Sequence, residues 1–187
     1  MSLFPLFCWR KVQASVAISA LFLAPLAFAQ SPLAEAQLKA AFVLNFVRYI
    51  EWPESTFASK ESAITLCTVG QDNGSFSLNA LEGRKVQERP IKVRTNVPID
   101  SLRSCHVAFF VEGETRRLRP VLRHLSGQAL LTVSDIEGFI DQGGAIGIVQ
   151  GEQRLQFEVN RGALEQAKLK ASSQLLKLAR AIINGGG

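Results

Sequence analysis

The chain of 187 residues carries a formal net charge of +5, with 47% hydrophobic and 20% charged residues. That apolar content, without a long low-complexity tract, excludes a disordered protein, and the length suffices for one domain with a buried core. Basic residues dispersed among acids argue against nucleic acid as the main partner.

Arg10 and Lys11 precede an uncharged run from Val12 to Phe28, and Ala27 and Ala29 stand at −3 and −1 before Gln30. A basic start, an apolar middle and small residues at a cleavage point are the parts of a secretory signal peptide. Pro25 and the Ala/Ser content make the run marginal for spanning a bilayer. The expectation is a signal peptide over 1–29, cleaved after Ala29, and a single domain over 30–187; the alternative is an uncleaved N-terminal anchor. All sixteen acidic residues follow Ala29, against nineteen basic ones, so the exported chain keeps a mild charge of about +3.

Export shapes the reading of cysteine. Cys8 leaves with the leader, and Cys67 and Cys105 remain. In an oxidising compartment one disulfide is the expected state, with two separate buried thiols as the alternative.

The spacing of Leu38, Phe42, Asn45/Phe46 and Tyr49 predicts a helix over 35–51, which Pro53 ends. Val43, Val47 and Ile50 add a second apolar stripe, so this helix either lies within a core or is shared with a partner. Ile64 to Gly70 reads as a strand, Gln71 to Gly74 as a turn, and Phe76 to Leu81 as a short helix. Lys85 to Arg94 reads as extended, with Pro90 favouring an edge or a bulge. The apolar run from His106 to Val111 predicts a strand covered on both faces. A basic helix is expected over 114–125, a buried strand over 128–133, and a short helix to Phe139 capped by Ser134-Asp135. Gly143-Gly144 leads into a β-hairpin of 145–150 and 154–160. Asn160 can cap a helix over 161–168, and a last helix is expected over 172–183, stopped by Asn184-Gly185. The order predicts an α/β fold: a three-layer sandwich around a mostly parallel sheet of about six strands, with an antiparallel C-terminal hairpin.

Catalytic and metal chemistry is hard to find. His106 follows Cys105 directly, and neighbours on a strand face opposite ways, so they form no thiol–imidazole dyad. His106 and His124, the two histidines, lack ligand spacing, and two lone cysteines make no zinc site. Ser134-Asp135 lies just after a buried strand, where α/β folds often place functional groups, but no G-x-S-x-G elbow surrounds it; a helix cap is the plainer reading, a nucleophile the sharper one. Gly143-Gly144 lacks the Lys-Ser/Thr pair of a phosphate loop. Arg116, Arg119 and Arg123 recur on one helix face, an anion-binding surface or a solvated one. Phe42, Phe46, Tyr49 and Trp52, with Leu175 and Leu176 near the C-terminus, are candidate partner-binding anchors, or core.

Seven segments taken together resemble the YfiR family of bacterial periplasmic proteins: KAAFVLNFVRYIEWP (Lys39–Pro53), ITLCTVG (Ile64–Gly70), SCHVAFFV (Ser104–Val111), LLTVSDIEGF (Leu130–Phe139), GGAIGIV (Gly143–Val149), LQFEVN (Leu155–Asn160) and KASSQLLKLAR (Lys170–Arg180). The resemblance implies a non-enzymatic repressor in the periplasm, without a cofactor. Its implied partner is an inner-membrane sensor, best known as the diguanylate cyclase YfiN, with a histidine kinase also compatible. Holding that sensor inactive lowers cyclic di-GMP and restrains biofilm formation. The family is also linked to homodimers and to relief by an outer-membrane lipoprotein. Cys67 and Cys105 match its stabilising disulfide, whereas the second cysteine pair of its best-known member has no counterpart between Ile136 and Gly151, which puts redox switching in doubt. Two other classes stay open on the residues alone: a periplasmic small-molecule binder, and a hydrolase using Ser134 or Asp135.

Overall fold

The computed structural model describes residues 32–71, 78–111, 113, 118–152 and 154–185. The signal peptide, most of the turn after Gln71, and Arg116 lie outside these residues.

The first helix, α1 (Pro32–Tyr49), is followed by β1 (Ile50–Glu51), β2 (Ile64–Val69), β3 (Lys85–Val86), β4 (Arg89–Arg94) and β5 (Val107–Phe110). Then come α2 (Leu118–Leu125), β6 (Leu131–Ser134), the hairpin of β7 (Ile146–Gln150) and β8 (Leu155–Asn160), α3 (Arg161–Gln166), β9 (Lys170–Ala171), α4 (Ser173–Leu178) and β10 (Ala181–Ile183). The main sheet has eight strands in the order β10-β8-β7-β6-β5-β2-β4-β3. Its centre is parallel, from β4 through β2, β5 and β6 to β7. Antiparallel pairs lie towards both ends, β3 with β4 and β7 with β8, and β10 runs parallel to β8. A separate pair joins β1 to β9.

The alternation of a strand explains the layers. Val107 and Phe109 of β5 join the core beneath α1, with Val43, Phe46 and Val47. Ala108 and Phe110 face the opposite way, against Leu118, Leu122 and Leu125 of α2. All four β5 residues are buried, which is why that segment reads as an unbroken apolar run.

The α/β sandwich and the hairpin stand as expected; the strand count rises to eight, and several element boundaries change. The helix expected over 172–183 divides. Ser172 caps α4 by accepting from the Leu175 N–H at 3.2 Å, Ala179 turns extended, and Arg180 N–H donates to Phe157 O at 2.8 Å. That bond leads the β-branched Ile182-Ile183 into β10. Helical spacing through Leu175, Leu178 and Ile182 was misleading, because Leu178 and Ile182 are exposed.

The extended segment 85–94 is itself a hairpin. Gln87 and Glu88 adopt left-handed φ of 50° and 64°, the geometry of a type I′ turn without its usual glycine. Pro90 sits in β4 opposite Lys85 of the two-residue edge strand β3. α1 ends at Tyr49, and Ile50-Glu51 leaves it to pair with Lys170-Ala171. Of the short helix expected over 76–81, a 3-10 turn at Leu78–Leu81 is described. Asn160 caps α3, as its position predicted, by accepting from the Ala163 N–H at 3.0 Å.

Candidate functional site

Cys67 lies in β2 and Cys105 just before β5, two adjacent parallel strands. They form a disulfide with Cα atoms 6.0 Å apart, closing a sequence separation of 38. Both are buried in the layer that α2 covers. The imidazole of His106 is engaged elsewhere. Its Nδ1 accepts from the Thr65 N–H at 3.0 Å, and its ring stacks on Phe57 with centroids 4.7 Å apart. The Arg89 guanidinium lies 3.8 Å from the centroid of Phe57, held by the carbonyls of Ser59 at 2.6 Å and Ser62 at 3.1 Å. Burial, followed by the Arg89 charge, lowers the His106 pKa against a raising bond to the Thr56 backbone. A neutral ring that accepts from a backbone N–H is a structural peg.

Ser134 is fully buried. Its hydroxyl donates to Phe110 O at 2.7 Å and accepts from the Ile136 N–H at 3.0 Å. Both capacities of the oxygen are thus spent on closing the turn after β6, where the expected helix to Phe139 is a turn instead. Asp135 meets Lys39 Nζ at 2.7 Å, and Glu35 meets the same nitrogen at 2.8 Å. Burial alone would lower the Lys39 pKa, but its bonds to Asp135 and Glu35 and their charges raise it on balance. This ammonium fastens α1 to the end of β6. Sequence reading missed the link because its partners are 96 residues apart and neither carries a motif.

The aromatic candidates separate by burial. Phe46 is fully buried, and its ring centroid lies 5.1 Å from that of Phe157 and 5.9 Å from that of Phe42. Phe42, Tyr49, Trp52 and Leu176 are partly buried against the same core, which encloses Leu175. Phe46 and Leu175 are therefore interior side chains in this fold, whereas the other four reach its surface. Trp52 Nε1 is buried without a hydrogen-bond partner among the described residues. The large exposed apolar side chains among the described residues include Leu33, Leu38, Leu178 and Ile182. Leu38 and Leu178 flank a groove of about 340 Å³ floored by Phe42, Leu155 and Phe157, with Arg154 in its lining.

A second cavity, of about 280 Å³, lies among Arg161, Leu164, Glu165, Leu169, Lys170 and Leu176. Arg119 and Arg123 are exposed on α2, one turn apart and on one face. The described residues hold no cluster of three His, Cys, Asp or Glu side chains able to bind a metal. None of their helices is long and apolar enough to cross a membrane.

The fold and its disulfide define an α/β sandwich whose candidate functional surfaces are apolar grooves. A sequence profile of the family described as YfiR/HmsC-like matches residues 36–180, and the chain belongs to that family. The family is regulatory and non-catalytic, and it implies interaction with a membrane signalling protein.

Proposed function

We propose that the protein is a periplasmic repressor of an inner-membrane signalling protein, a diguanylate cyclase, acting by contact with the sensor's periplasmic domain. Family membership over 36–180 carries this reading. The signal-peptide pattern before Gln30 and a disulfide joining Cys67 to Cys105 support export. The engagement of Ser134 and Asp135 with their neighbours supports work without turnover. Repression of the cyclase lowers cyclic di-GMP and biofilm formation; homodimers and an outer-membrane lipoprotein that relieves the block complete the proposal. Deleting the gene should raise cellular cyclic di-GMP, and the protein should co-purify with a cyclase from detergent-solubilised inner membrane. An unchanged cyclic di-GMP level would refute the cyclase assignment.

A second reading, a small-molecule binder, is favoured by the cavity between α3 and α4. Its Leu164, Leu169 and Leu176 offer an apolar floor, and Lys170 a cation beside the Arg161–Glu165 pair at 3.7 Å, a setting for a small amphipathic molecule with an acidic group. A thermal-shift screen of nucleotides and amino acids tests it; no shift at millimolar ligand would count against it.

A further inference from the structure

We propose that the groove between α1, β8 and α4 receives an extended segment of the partner protein, apolar along one side and carrying carboxylates. The proposal rests on the reading that the protein works by contact, and it names the surface that makes the contact.

The apolar evidence converges on one edge of the sheet. Among the described residues the large exposed hydrophobic side chains include Leu38 at 39%, Leu178 at 72% and Ile182 at 43% exposure, from α1, α4 and β10. Leu38 and Leu178 stand at the rim of a groove whose floor is Phe42, Leu155 and Phe157. A concave apolar floor between exposed leucines accepts side chains from a partner more readily than a flat patch does.

The backbone offers a second kind of complementarity. β10 pairs with β8 from Glu158 onwards, and the N–H of Arg180 takes Phe157 O. Before that point β8 has β7 on one side and no strand on the other among the described residues. By the alternation of the ladder, Leu155 turns its N–H and C=O to the same side as Phe157, towards the groove. An extended segment laid there can pair with that free edge while its side chains enter the floor, the mode by which sheet edges capture peptides.

Charge selects the occupant. Arg154 lines the groove, is exposed, and has no ion-pair partner among the described residues. Arg180, just before β10, is answered by Glu158 at 2.6 Å, which leaves Arg154 as the cation of the groove lining. The rim therefore calls for a carboxylate. A second copy docking by the same face would set one basic rim against another, because a two-fold interface repeats the same patch on both sides.

The test is selection of random short peptides, displayed on phage, against the immobilised full chain. Enriched peptides should alternate apolar residues with Asp or Glu. Leu178→Glu should weaken their binding ~10- to 100-fold, the range set by burial of one leucine side chain. Arg154→Glu should weaken them too, and reselection on that variant should yield Lys or Arg in place of the acids. Arg123→Glu on α2 should change nothing. Circular dichroism and an intact disulfide confirm that each variant folds. The proposal is overturned if no peptides enrich, if they lack carboxylates, or if they bind both groove variants as well as the parent. It is also overturned if Leu178→Glu dissolves a homodimer, since a second copy then occupies the face. Cellular cyclic di-GMP separates the two levels of the argument. If deletion raises it while the groove variants repress normally, the groove is refuted and the regulator stands. If deletion has no effect while the peptides behave as expected, the groove stands and the cyclase reading is refuted.

Discussion

Reducing the Cys67–Cys105 disulfide should cost the fold about 4 kcal/mol. The bond closes a sequence separation of 38, and the chain-entropy relation for a loop of that length gives roughly 4 kcal/mol at room temperature. Reduction is a cleaner perturbation than substitution, because both sulfur atoms remain to fill a layer in which Cys67 is 0% and Cys105 5% exposed. Alanine at both positions would add the cost of the space left behind. With the usual unfolding entropy per residue, a loss of that size lowers the melting temperature of a domain this long by roughly 10 °C. Calorimetry with and without a phosphine reductant measures it. A thiol titration of the unreduced exported protein in denaturant should find none free, since Cys8 leaves with the leader and Cys67 is bonded to Cys105. A melting point that reduction leaves within ~2 °C, well below the shift expected from loop closure, would refute the entropic account. Two reactive thiols before reduction would refute the bond itself.

His106 gives a pH signature. Burial and Arg89 hold its folded-state pKa below the ordinary 6.5, so its contribution is fully present above that value and is lost as pH falls from there through the folded pKa. Urea midpoints should therefore drop on mild acidification, and His106→Gln should remove that part of the dependence. Ser134→Ala deprives Phe110 O of its hydroxyl donor and the Ile136 N–H of its acceptor in a fully buried setting; chemical denaturation should show a loss of about 1–3 kcal/mol. A Cβ at Gly144 would collide with the Phe139 ring, so Gly144→Ala should destabilise by about 1–3 kcal/mol, whereas Gly113→Ala, in open space, should be close to neutral.

The legible parts of the fold were those that a local pattern reports. The run from His106 to Val111 announced a strand covered on both faces, and Leu155, Phe157 and Val159 alternated as their burial now shows. Asn160 declared its helix through the chemistry of a cap. The illegible parts depended on distant partners. Ala181 to Ile183 is a strand because Phe157 O and β8 stand beside it, which the spacing of Leu175, Leu178 and Ile182 could not report. The β1–β9 pair joins segments too short to carry a period. Among the site residues, aromatic content marked Phe42 and Phe46 alike; both rings pack against Phe157, and only the folded chain shows that Phe46 is enclosed while Phe42 reaches the groove. Arg154 gave no signal, because its meaning lies in Leu38 and Leu178 across the fold.

The contacts between the chain's beginning and its end dictate an order of assembly. α1 is among the first parts of the domain to be made, yet part of its cover comes late: Phe157 receives Phe42 and Phe46, and Tyr49 O accepts from the Ser172 N–H. Until residues beyond 172 have followed it, this greasy helix is covered where it meets Val107 and Phe109 but bare where Phe157 and Leu175 belong. A premature stop near position 150 would therefore strand the first helix as well as delete the last strands, and the truncated product would be a substrate for proteases.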